Sequence, residues 1–477
     1  MSDSQPQGAP PPDVAAFEAR LRREMRGFFE PGRELFLSRA PGRLDCLGGI
    51  IDYCGGTVCE MPLREAVVLA LQKRQDRQIR LHSLGLKAEG LKPEVVLSLD
   101  DFGPPEAPPD YPAVRAFFRR DPKSAWAGYV AGAFYVLQQE RATSSPFRHG
   151  ANIVLASSVP LGAGVSSSAA LEVAAMVAMG AAYGLEWDGL ELARLAQKVE
   201  NQVVGAPCGI MDQVTAALGR ENQLLLLECQ PCRLLGYAAL PEGVQVAALH
   251  SGVKHAVGGS KYTDTRIGAF MGHAIILAHL RALGTVAEDP FGGYVCNIPP
   301  EEYVRAYRPL VPSQMRGQDF LDRYGGTVDP VTTIDPQRTY RIRSRLEHHI
   351  YEQARVQRFR RSLEAYGRTR EKVFLEEAGR QMYGSHWSYG ARCGLGAPET
   401  DLLVALAQEI GPAGGVYGAK ITGGGSGGTV AFLGDERLPA AVAQIAERYA
   451  EATGITPHLF QGSSPGALAT GVRVCRL

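Results

Sequence analysis

Serine and glycine are concentrated in the segment Val159-Pro-Leu-Gly-Ala-Gly-Val-Ser-Ser-Ser-Ala-Ala-Leu-Glu172. It joins a strand predicted at Asn152–Leu155 to a helix predicted at Ala169–Tyr183, so its serines lie at a helix N-terminus. Unpaired N–H groups and the helix dipole bind phosphate there, and Gly162 and Gly164 allow an anion close to the backbone. The segment predicts a triphosphate site; a glycine turn capped by serine is the structural alternative. It lacks the Gly-Lys-Ser/Thr ending of a P-loop, which disfavours a Walker-type NTPase.

A second glycine-rich segment follows much later in the chain, at Ile421-Thr-Gly-Gly-Gly-Ser-Gly-Gly-Thr-Val430. Its Gly423, Gly425 and Gly428 match the spacing of the dinucleotide-binding fingerprint. A Rossmann glycine loop opens a helix, however, whereas Thr429–Leu433 is predicted to be a strand, and we therefore reject that interpretation. So long a glycine turn between two strands is costly in backbone entropy, which favours close approach to a ligand over a merely tight bend.

Charged residues form a third candidate site within the segment from Ser38 to Gly56. Arg43, Asp45 and Asp52 lie on a glycine-rich excursion after a first strand predicted at Glu34–Ser38. Their polar groups could bind a sugar. The alternative is an Arg–Asp pair that braces the loop, and spacing alone does not choose between the two.

The elements that position these segments are predicted to form two domains, because 477 residues exceed what one hydrophobic core usually supports. Mixed helix and strand signals on both sides predict the α+β class. A helix is expected at Ala15–Phe29, a surface loop at Phe102–Pro112, a helix around Trp126–Gln139 and a domain crossover within Gly236–Gly252. The predicted units are a flexible tail over 1–14, an N-terminal domain over 15–240 and a C-terminal domain over 241–477.

The amino-acid composition limits the classes of partner and the compartment that we expect for this protein. With 45% apolar residues and 50 basic against 50 acidic side chains, the chain favours neither a nucleic-acid nor a membrane-surface partner. No apolar run is long enough to span a bilayer and the proline-rich start is unlike a signal peptide, so we expect a cytoplasmic protein. The nine cysteines are expected to be reduced, and Cys229 with Cys232 is only half of a zinc-type double pair.

The three segments, in this order, resemble the three motifs of the GHMP kinases, a superfamily named for galactose, homoserine, mevalonate and phosphomevalonate kinases. Two further stretches, Glu200–Gln213 and Met382–Ser388, are similar to galactokinase segments, and the first of these carries the catalytic aspartate. The resemblance spans nearly the whole chain. It implies a sugar kinase with an N-terminal domain like ribosomal protein S5 domain 2, a ferredoxin-like C-terminal domain, and nucleotide and sugar in the cleft between them.

Residue roles follow from the resemblance by position. Asp212 matches the catalytic base, Arg43 the arginine that polarises the attacking hydroxyl, and Ser168 with Glu200 the ligands of the Mg²⁺ that accompanies ATP. From the residues alone, Asp212 could equally be a helix cap and Glu200 a solvated helix residue. The implied sugar-binding residues are Arg43, Asp45, Gly49, Ile50, Asp52, Gly209, Asp212 and Tyr262. The implied ATP-binding residues are Pro160, Gly162, Gly164, Val165, Ser166, Ser167, Ser168, Ala169, Gly424, Gly425 and Ser426.

One departure from the galactokinase pattern bears on the sugar. Galactokinases carry Gly-Glu-His-Thr-Asp-Tyr where this chain has Gly48-Gly-Ile-Ile-Asp-Tyr53. By resemblance, the missing glutamate and histidine help hold the hydroxymethyl end of the hexose. A pocket with Gly49 and Ile50 instead favours L-arabinopyranose, which has the ring configuration of D-galactopyranose but no carbon six.

The motif from Arg43 to Tyr53 also resembles that of the plant L-arabinokinases, as do Ser251–Gly259, Thr327–Asp335 and Phe460–Gly466. The plant proteins carry an additional N-terminal glycosyltransferase-like half, and no activity owing to that half is expected from these residues. The sequence therefore predicts transfer of the γ-phosphoryl of MgATP to the C1 hydroxyl of L-arabinose by a monomer or small homo-oligomer. The alternatives are a galactokinase, a uronic-acid or other sugar-1-kinase, and a non-catalytic ATP and sugar sensor.

Overall fold

The computed structural model describes residues 10–104, 107–141, 147–254 and 260–477. Its strands are β1 Glu34–Leu47, β2 Thr57–Lys73, β3 Gln78–Ser83, β4 Glu94–Ser98, β5 Ala151–Ser157, β6 Gln223–Glu228, β7 Arg233–Ala239, β8 Gln245–His250, β9 Gln314–Arg316, β10 Thr339–Arg341, β11 Val416–Ile421, β12 Thr429–Gly434, β13 His458–Gln461 and β14 Arg473–Arg476.

The α-helices alternate irregularly with these strands, which confirms the predicted α+β class. They are α1 Pro12–Glu24, α2 Tyr111–Arg119, α3 Ala127–Glu140, α4 Ser167–Tyr183, α5 Gly189–Lys198, α6 Met211–Leu218, α7 Ser260–Ala282, α8 Pro300–Glu302, α9 Gly317–Tyr324, α10 Arg343–Thr369, α11 Lys372–Ser388, α12 Pro398–Ile410, α13 Leu438–Thr453 and α14 Ala467–Thr470.

The larger sheet is built around the long strand β2. Its strand order is β14-β1-β2-β5-β3-β4, and β6 pairs with the first half of β2 and with β7. The pairing is antiparallel except between β3 and β5. Helices α3 and α4 pack on this sheet through a continuous apolar cluster. The sheet thereby supports the start of α4, where the predicted phosphate loop ends.

The smaller sheet has the order β11-β12-β8-β13 and packs against α12 and α13. The chain crosses from the larger to the smaller sheet between Ala239 and Gln245, within the predicted crossover. It returns at the end, because β14 pairs with β1. The domain limits at 15–240 and 241–477 stay a prediction. A third apolar cluster joins the β1–β2 motif region to α7, α10 and α11.

The first strand is longer than predicted. It runs from Glu34 through the whole Arg43 motif to Leu47, rather than ending at Ser38. The predicted glycine-rich excursion does not begin at Pro41 and Gly42, because a register shift between β1 and β2 accommodates them without ending the pairing. The excursion proper is the short helical turn Gly49–Cys54. Arg43 is therefore held on a strand, not on a loop.

Two helices near the N-terminus also differ from expectation. Helix α1 covers Pro12–Glu24 instead of Ala15–Phe29, because a proline is tolerated in the first turn and the buried Val14 anchors the start. Of the predicted tail, residues 1–9 lie outside the described residues. Helix α2 was not predicted, although Asp110 caps it by accepting a hydrogen bond from the backbone N–H of Ala113 at 2.9 Å.

Across the described ranges, no helix is long and apolar enough to cross a membrane.

Candidate active site

One cavity collects residues from all three predicted segments. It lies where the Arg43 motif, the start of α4 and the turn between β11 and β12 meet. It holds most of the residues predicted to contact sugar or nucleotide. Its lining consists of Arg43, Gly49, Ile50, Asp52, Gly162, Gly164, Ser166, Ser167, Ser168, Glu200, Cys208, Gly209, Met211, Asp212, Tyr262, Gly423 and Gly424.

Arg43 on β1 forms a direct ion pair with Asp212 in the first turn of α6. Its Nε donates to Oδ1 of Asp212 at 2.8 Å, and its Nη1 donates to the carbonyl of Gly164 at 2.9 Å. Burial opposes the charge, but the carboxyl groups of Asp212, Glu60 and Asp45 outweigh it and raise the pKa of Arg43. The arginine is therefore a permanent cation at the point where the motifs meet.

The second carboxylate oxygen of Asp212 is held by the serine segment. Ser166 precedes α4 in a left-handed conformation with φ 61°, and its Oγ donates to Oδ2 of Asp212 at 2.5 Å. The two oxygens of Asp212 therefore have different partners, Arg43 and Ser166. This fixes the carboxylate plane and leaves the group lining the cavity, where it can accept a proton from a bound hydroxyl.

The start of α4 has the form of an anion site. Gly162 and Gly164 adopt left-handed φ angles of 71° and 75°, which glycine reaches without strain. Ser167 and Ser168 follow in the first turn and line the same cavity. Unpaired helix N–H groups beside two flexible glycines can bind phosphate oxygens.

Glu200 lies on a π-helical turn, Val199–Val204, at the end of α5. Gln213 links it to a second buried carboxyl group, because its Nε2 donates to Glu200 at 2.7 Å and to Glu172 at 3.1 Å. Burial and the nearby Asp212 raise the pKa of Glu200 to about 7, although a hydrogen bond from Ser168 acts in the opposite direction.

Ser168 and Glu200 together fit a Mg²⁺ ion that arrives with a nucleotide. They supply one hydroxyl and one carboxylate that line the same cavity. Mg²⁺ commonly takes one or two carboxylates and fills its other positions with phosphate oxygens and water. No group of three or more His, Cys, Asp or Glu that could hold a metal is found within the described parts of the chain.

Asp52 and Tyr262 also line the cavity. Asp52 accepts the backbone N–H of Tyr53 at 2.9 Å, and burial with the nearby Asp212 raises the pKa of Asp52 to about 7. Gly209 must be glycine, because a Cβ there would lie 1.8 Å from Oδ2 of Asp52. Carboxyl and phenol groups around a glycine suit the hydroxyl groups of a sugar.

The turn between β11 and β12 confirms the predicted strand–turn–strand unit and touches the serine segment. A Cβ at Gly423 would lie 2.6 Å from the carbonyl oxygen of Gly164 and 3.2 Å from Nη2 of Arg43. Gly424 lines the cavity beside it. Gly423 is therefore required by contact between the two glycine loops.

The next two residues of this turn face protein. A Cβ at Gly425 would lie 2.7 Å from the carbonyl oxygen of Leu395, and the backbone N–H of Ser426 donates to that same oxygen at 2.5 Å. Neither residue is part of the cavity lining. Pro160, Val165 and Ala169 also lie outside it, with Val165 and Ala169 buried in the core.

Asp45, predicted to contact sugar, lies behind the cavity. Its Oδ2 accepts Nζ of Lys420 at 2.5 Å, its Oδ1 accepts the N–H of Gly49 at 3.0 Å, and neither Asp45 nor Lys420 is exposed. This ion pair joins β1 of the larger sheet to β11 of the smaller one. Asp45 therefore braces the structure, but its partner is Lys420 and not the arginine of the Arg–Asp pair that the spacing left open.

Sequence reasoning missed Glu60 on β2. Its Oε2 lies 3.3 Å from Nε of Arg43, and neither of its oxygens has a hydrogen-bond partner among the described residues. Burial and the nearby Asp45 raise the pKa of Glu60 well above its ordinary value. Only strand pairing brings it near Arg43, because Asp45 and Glu60 are register partners between β1 and β2. No local sequence signal marked it.

Comparison with protein families gives three matches. The galactokinase galactose-binding signature matches residues 27–73, the GHMP kinases N terminal domain matches 128–220, and the GHMP kinases C terminal matches 372–452. The first match contains Arg43 and Asp52, and the second contains the serine segment and Asp212.

Two curated relatives align over most of the chain. L-arabinokinase of Arabidopsis thaliana is 39% identical over 498 residues, which is 94% of this chain and 47% of that protein. The chain thus spans about half the length of this relative. Galactokinase of Chloroflexus aggregans is 32% identical over 426 residues, with 88% of this chain and 89% of that protein covered.

Solved structures agree on the fold. Galactokinase of Lactococcus lactis, crystallised with galactose, superimposes with a TM-score of 0.72 at 21% identity, covering 96% of this chain and 99% of that chain. Mevalonate kinase of Methanococcus jannaschii gives a TM-score of 0.53 at 15% identity, covering 90% of this chain and 98% of that chain. The chain therefore belongs to the GHMP kinases, and within them to the sugar kinases of the galactokinase and L-arabinokinase type.

Proposed function

We propose that this chain transfers the γ-phosphoryl group of ATP to the C1 hydroxyl of L-arabinose, giving L-arabinose 1-phosphate. The observation that carries the proposal is the position of Asp212, which lines one cavity with both glycine loops and is held by Arg43 and Ser166. Phosphoryl transfer needs positioning and charge stabilisation rather than covalent chemistry from the protein, and this arrangement provides both.

Each residue has a distinct part in the proposed reaction. Asp212 accepts the proton of the sugar C1 hydroxyl as its oxygen attacks the γ-phosphorus. Arg43, cationic and 2.8 Å from Asp212, stabilises the negative charge that develops around the transferred group. The first turn of α4, with Gly162 and Gly164, binds phosphate oxygens through backbone N–H groups.

Ser168 and Glu200 are the residues that would hold Mg²⁺. When bound, the ion neutralises phosphate charge through hard oxygen ligands. Glu200 lines the same cavity as Asp212, so the proton acceptor and the metal ligand belong to one site.

L-arabinose is proposed over D-galactose because of the wall formed by Gly49 and Ile50. Both residues line the cavity, and neither offers a polar side chain to an exocyclic hydroxymethyl group. Losing one or two charged hydrogen bonds should cost galactose roughly 1.5 to 3 kcal/mol each, or at least about tenfold in catalytic efficiency. The relative in Arabidopsis thaliana, 39% identical, supports the same choice by its name.

The test is a panel of free sugars incubated with MgATP, with ADP release measured by a coupled assay and products identified by phosphorus NMR. We expect an anomeric phosphate, with L-arabinose used at least about tenfold more efficiently than D-galactose. Equal or better use of galactose would make the chain a galactokinase, and a preference for a uronic acid would assign that sugar class instead. If none of the sugars stimulates ADP release, a non-catalytic sensor is favoured. Asp212→Asn serves as the inactive control.

A further inference from the structure

Gly49 is glycine because of a tyrosine 340 positions further along the chain. A Cβ added at Gly49 would lie 1.8 Å from Oη and 3.0 Å from Cζ of Tyr389, and 2.6 Å from Oδ2 of Asp45. Backbone conformation is not the reason, because Gly48 has a left-handed φ of 111° whereas Gly49 does not. The Tyr389 hydroxyl is therefore the nearest group in the space that a side chain at position 49 would need, and the Asp45 carboxylate is the next.

The same hydroxyl connects the wall formed by Gly49 and Ile50 to the second glycine loop, between β11 and β12. The backbone N–H of Ile50 donates to Oη of Tyr389 at 3.1 Å, and Oη donates to the carbonyl of Gly423 at 2.9 Å. Gly423 in turn contacts Gly164 of the serine segment. One buried hydroxyl group outside the cavity lining thus links Ile50, a predicted sugar-binding residue, to Gly423 of the second glycine loop.

Tyr389 has little freedom to move aside. It is fully buried at the start of the π-helical turn Tyr389–Cys393, which follows α11. Its ring packs edge-on against His348 with centroids 5.2 Å apart, and Nζ of Lys420 lies 5.4 Å from the ring centroid. Lys420 is itself fixed by its ion pair with Asp45. A side chain at position 49 would have to displace this packed group.

We propose that Tyr389 is a positioning and specificity-determining residue: its hydroxyl keeps position 49 free of a side chain and holds the Gly49–Ile50 wall in place, so that an exocyclic arm of the sugar finds no polar partner there. The inference deepens the proposed function and rests on it for the identity of the sugar. It assigns specificity to a pair of residues, because a polar side chain at position 49 and the Tyr389 hydroxyl exclude each other.

The test is a double-mutant cycle on the full chain with Gly49→Ala, Tyr389→Phe and the double variant. Without ligand, Gly49→Ala should lower Tm because its Cβ meets the hydroxyl, and the double variant should lose less than the sum of the single losses. Strictly additive losses would overturn the proposal. Tyr383→Phe, on helix α11 shortly before Tyr389 and packed against a different apolar cluster, is the matched control and should leave sugar KM unchanged.

Steady-state kinetics then distinguish a positioning role of Tyr389 from a general loss of folded, active enzyme. Gly49→Ala should raise sugar KM by about tenfold, and adding Tyr389→Phe should recover part of that loss, because Oδ2 of Asp45 remains 2.6 Å from the added Cβ. Tyr389→Phe alone should raise sugar KM a few-fold, since Ile50 loses its acceptor. A purely structural role would instead reduce active enzyme without changing KM, and that result would contradict the proposal.

Specificity is tested with Gly49→Glu alone and with Gly49→Glu combined with Tyr389→Ala, which removes the side chain nearest to position 49 and leaves Asp45 in place. The galactose-to-arabinose ratio of kcat/KM should rise by at least about tenfold in the double variant relative to the wild type. If Gly49→Glu alone folds and shifts the ratio equally, Tyr389 is not a determinant. The thermal cycle needs no sugar, and the sugar panel on the wild type tests the proposed function separately, so the two can fail independently.

Discussion

Ser166 donates a 2.5 Å hydrogen bond from its Oγ to Oδ2 of Asp212, so the residue that precedes the phosphate-loop helix orients the proposed proton acceptor. Arg43 holds the other oxygen. Because both contacts come from segments that line the same cavity, the carboxylate is aimed before any substrate binds.

Replacing Asp212 by asparagine should remove the proton acceptor while keeping its size. Turnover should fall by about 10² to 10⁴, because an amide cannot accept the sugar proton at neutral pH. ATP and sugar affinities, measured by calorimetry, should stay close to those of the wild type. If more than about a tenth of turnover remains, Asp212 is not the base and the proton leaves late in a dissociative transfer.

Ser166 can be tested with two variants that both lose the hydroxyl group. Ser166→Ala and Ser166→Gly should each lower kcat by at least about tenfold, because a hydrogen bond to a charged group is lost. Since φ is 61°, glycine should relieve strain that alanine keeps, leaving Ser166→Gly more stable by roughly 1 kcal/mol. Thermal unfolding and steady-state kinetics measure both effects. Wild-type turnover in Ser166→Gly would show that orientation of Asp212 does not depend on this hydroxyl.

Glu200→Gln should alter the Mg²⁺ requirement. Weakening a metal ligand should raise the Mg²⁺ concentration needed for half-maximal turnover, and excess Mg²⁺ should restore part of the activity. Asp212→Asn should show no such rescue, since metal cannot replace a base. Exposed Glu221→Gln is the control and should titrate like the wild type. An unchanged Mg²⁺ titration for Glu200→Gln would remove Glu200 from the metal site.

Asp52 should make stability depend on pH. Its folded pKa of about 7 lies above the ordinary 3.8, so the folded chain binds this proton more tightly than the unfolded chain. Its contribution to stability is therefore lost as pH rises from about 4 to about 7 and stays low above that.

Asp52→Asn should remove this contribution and shrink the difference in Tm between about pH 5 and about pH 8. Exposed Asp319→Asn should leave the difference at the wild-type value. An equal pH dependence in the wild type and Asp52→Asn would mean that Asp52 does not titrate in this range.

Gly164 and Gly425, both predicted to bind ATP, should respond differently to valine. A Cβ at Gly164 meets only the carbonyl of Thr422 at 3.6 Å, so Gly164→Val should fold but weaken ATP binding, with sugar affinity retained. Gly425→Val should chiefly lower Tm, because its Cβ would lie 2.7 Å from the Leu395 carbonyl.

Gly184→Val is the control for the left-handed backbone alone, with φ 73° and no atom within 4 Å of its Cβ. It should lower stability by roughly 1 to 2 kcal/mol and leave ATP affinity unchanged. Equal ATP affinity in Gly164→Val and Gly184→Val would show that Gly164 is merely a turn residue.

The sequence by itself determined the local units of this protein. A glycine and serine run before an alanine-rich stretch is enough to predict the start of α4, and a glycine run between two apolar stretches is enough to predict the β11–β12 turn. Such units depend on contiguous residues, because helix starts and tight turns are set by neighbouring side chains and backbone angles. The family resemblance added the roles of Arg43 and Asp212, which lie 169 positions apart.

Only the tertiary structure decided which polar groups meet. Strand pairing between β1 and β2 brings the buried Glu60 beside Arg43, and contact between the two sheets turns Asp45 toward Lys420 and away from the cavity. The contact of Tyr389 with Gly49 likewise depends on how the turn after α11 packs behind Gly49 and Ile50. Burial, partners and pKa of these side chains arise from distant segments, so no spacing within any one motif records them.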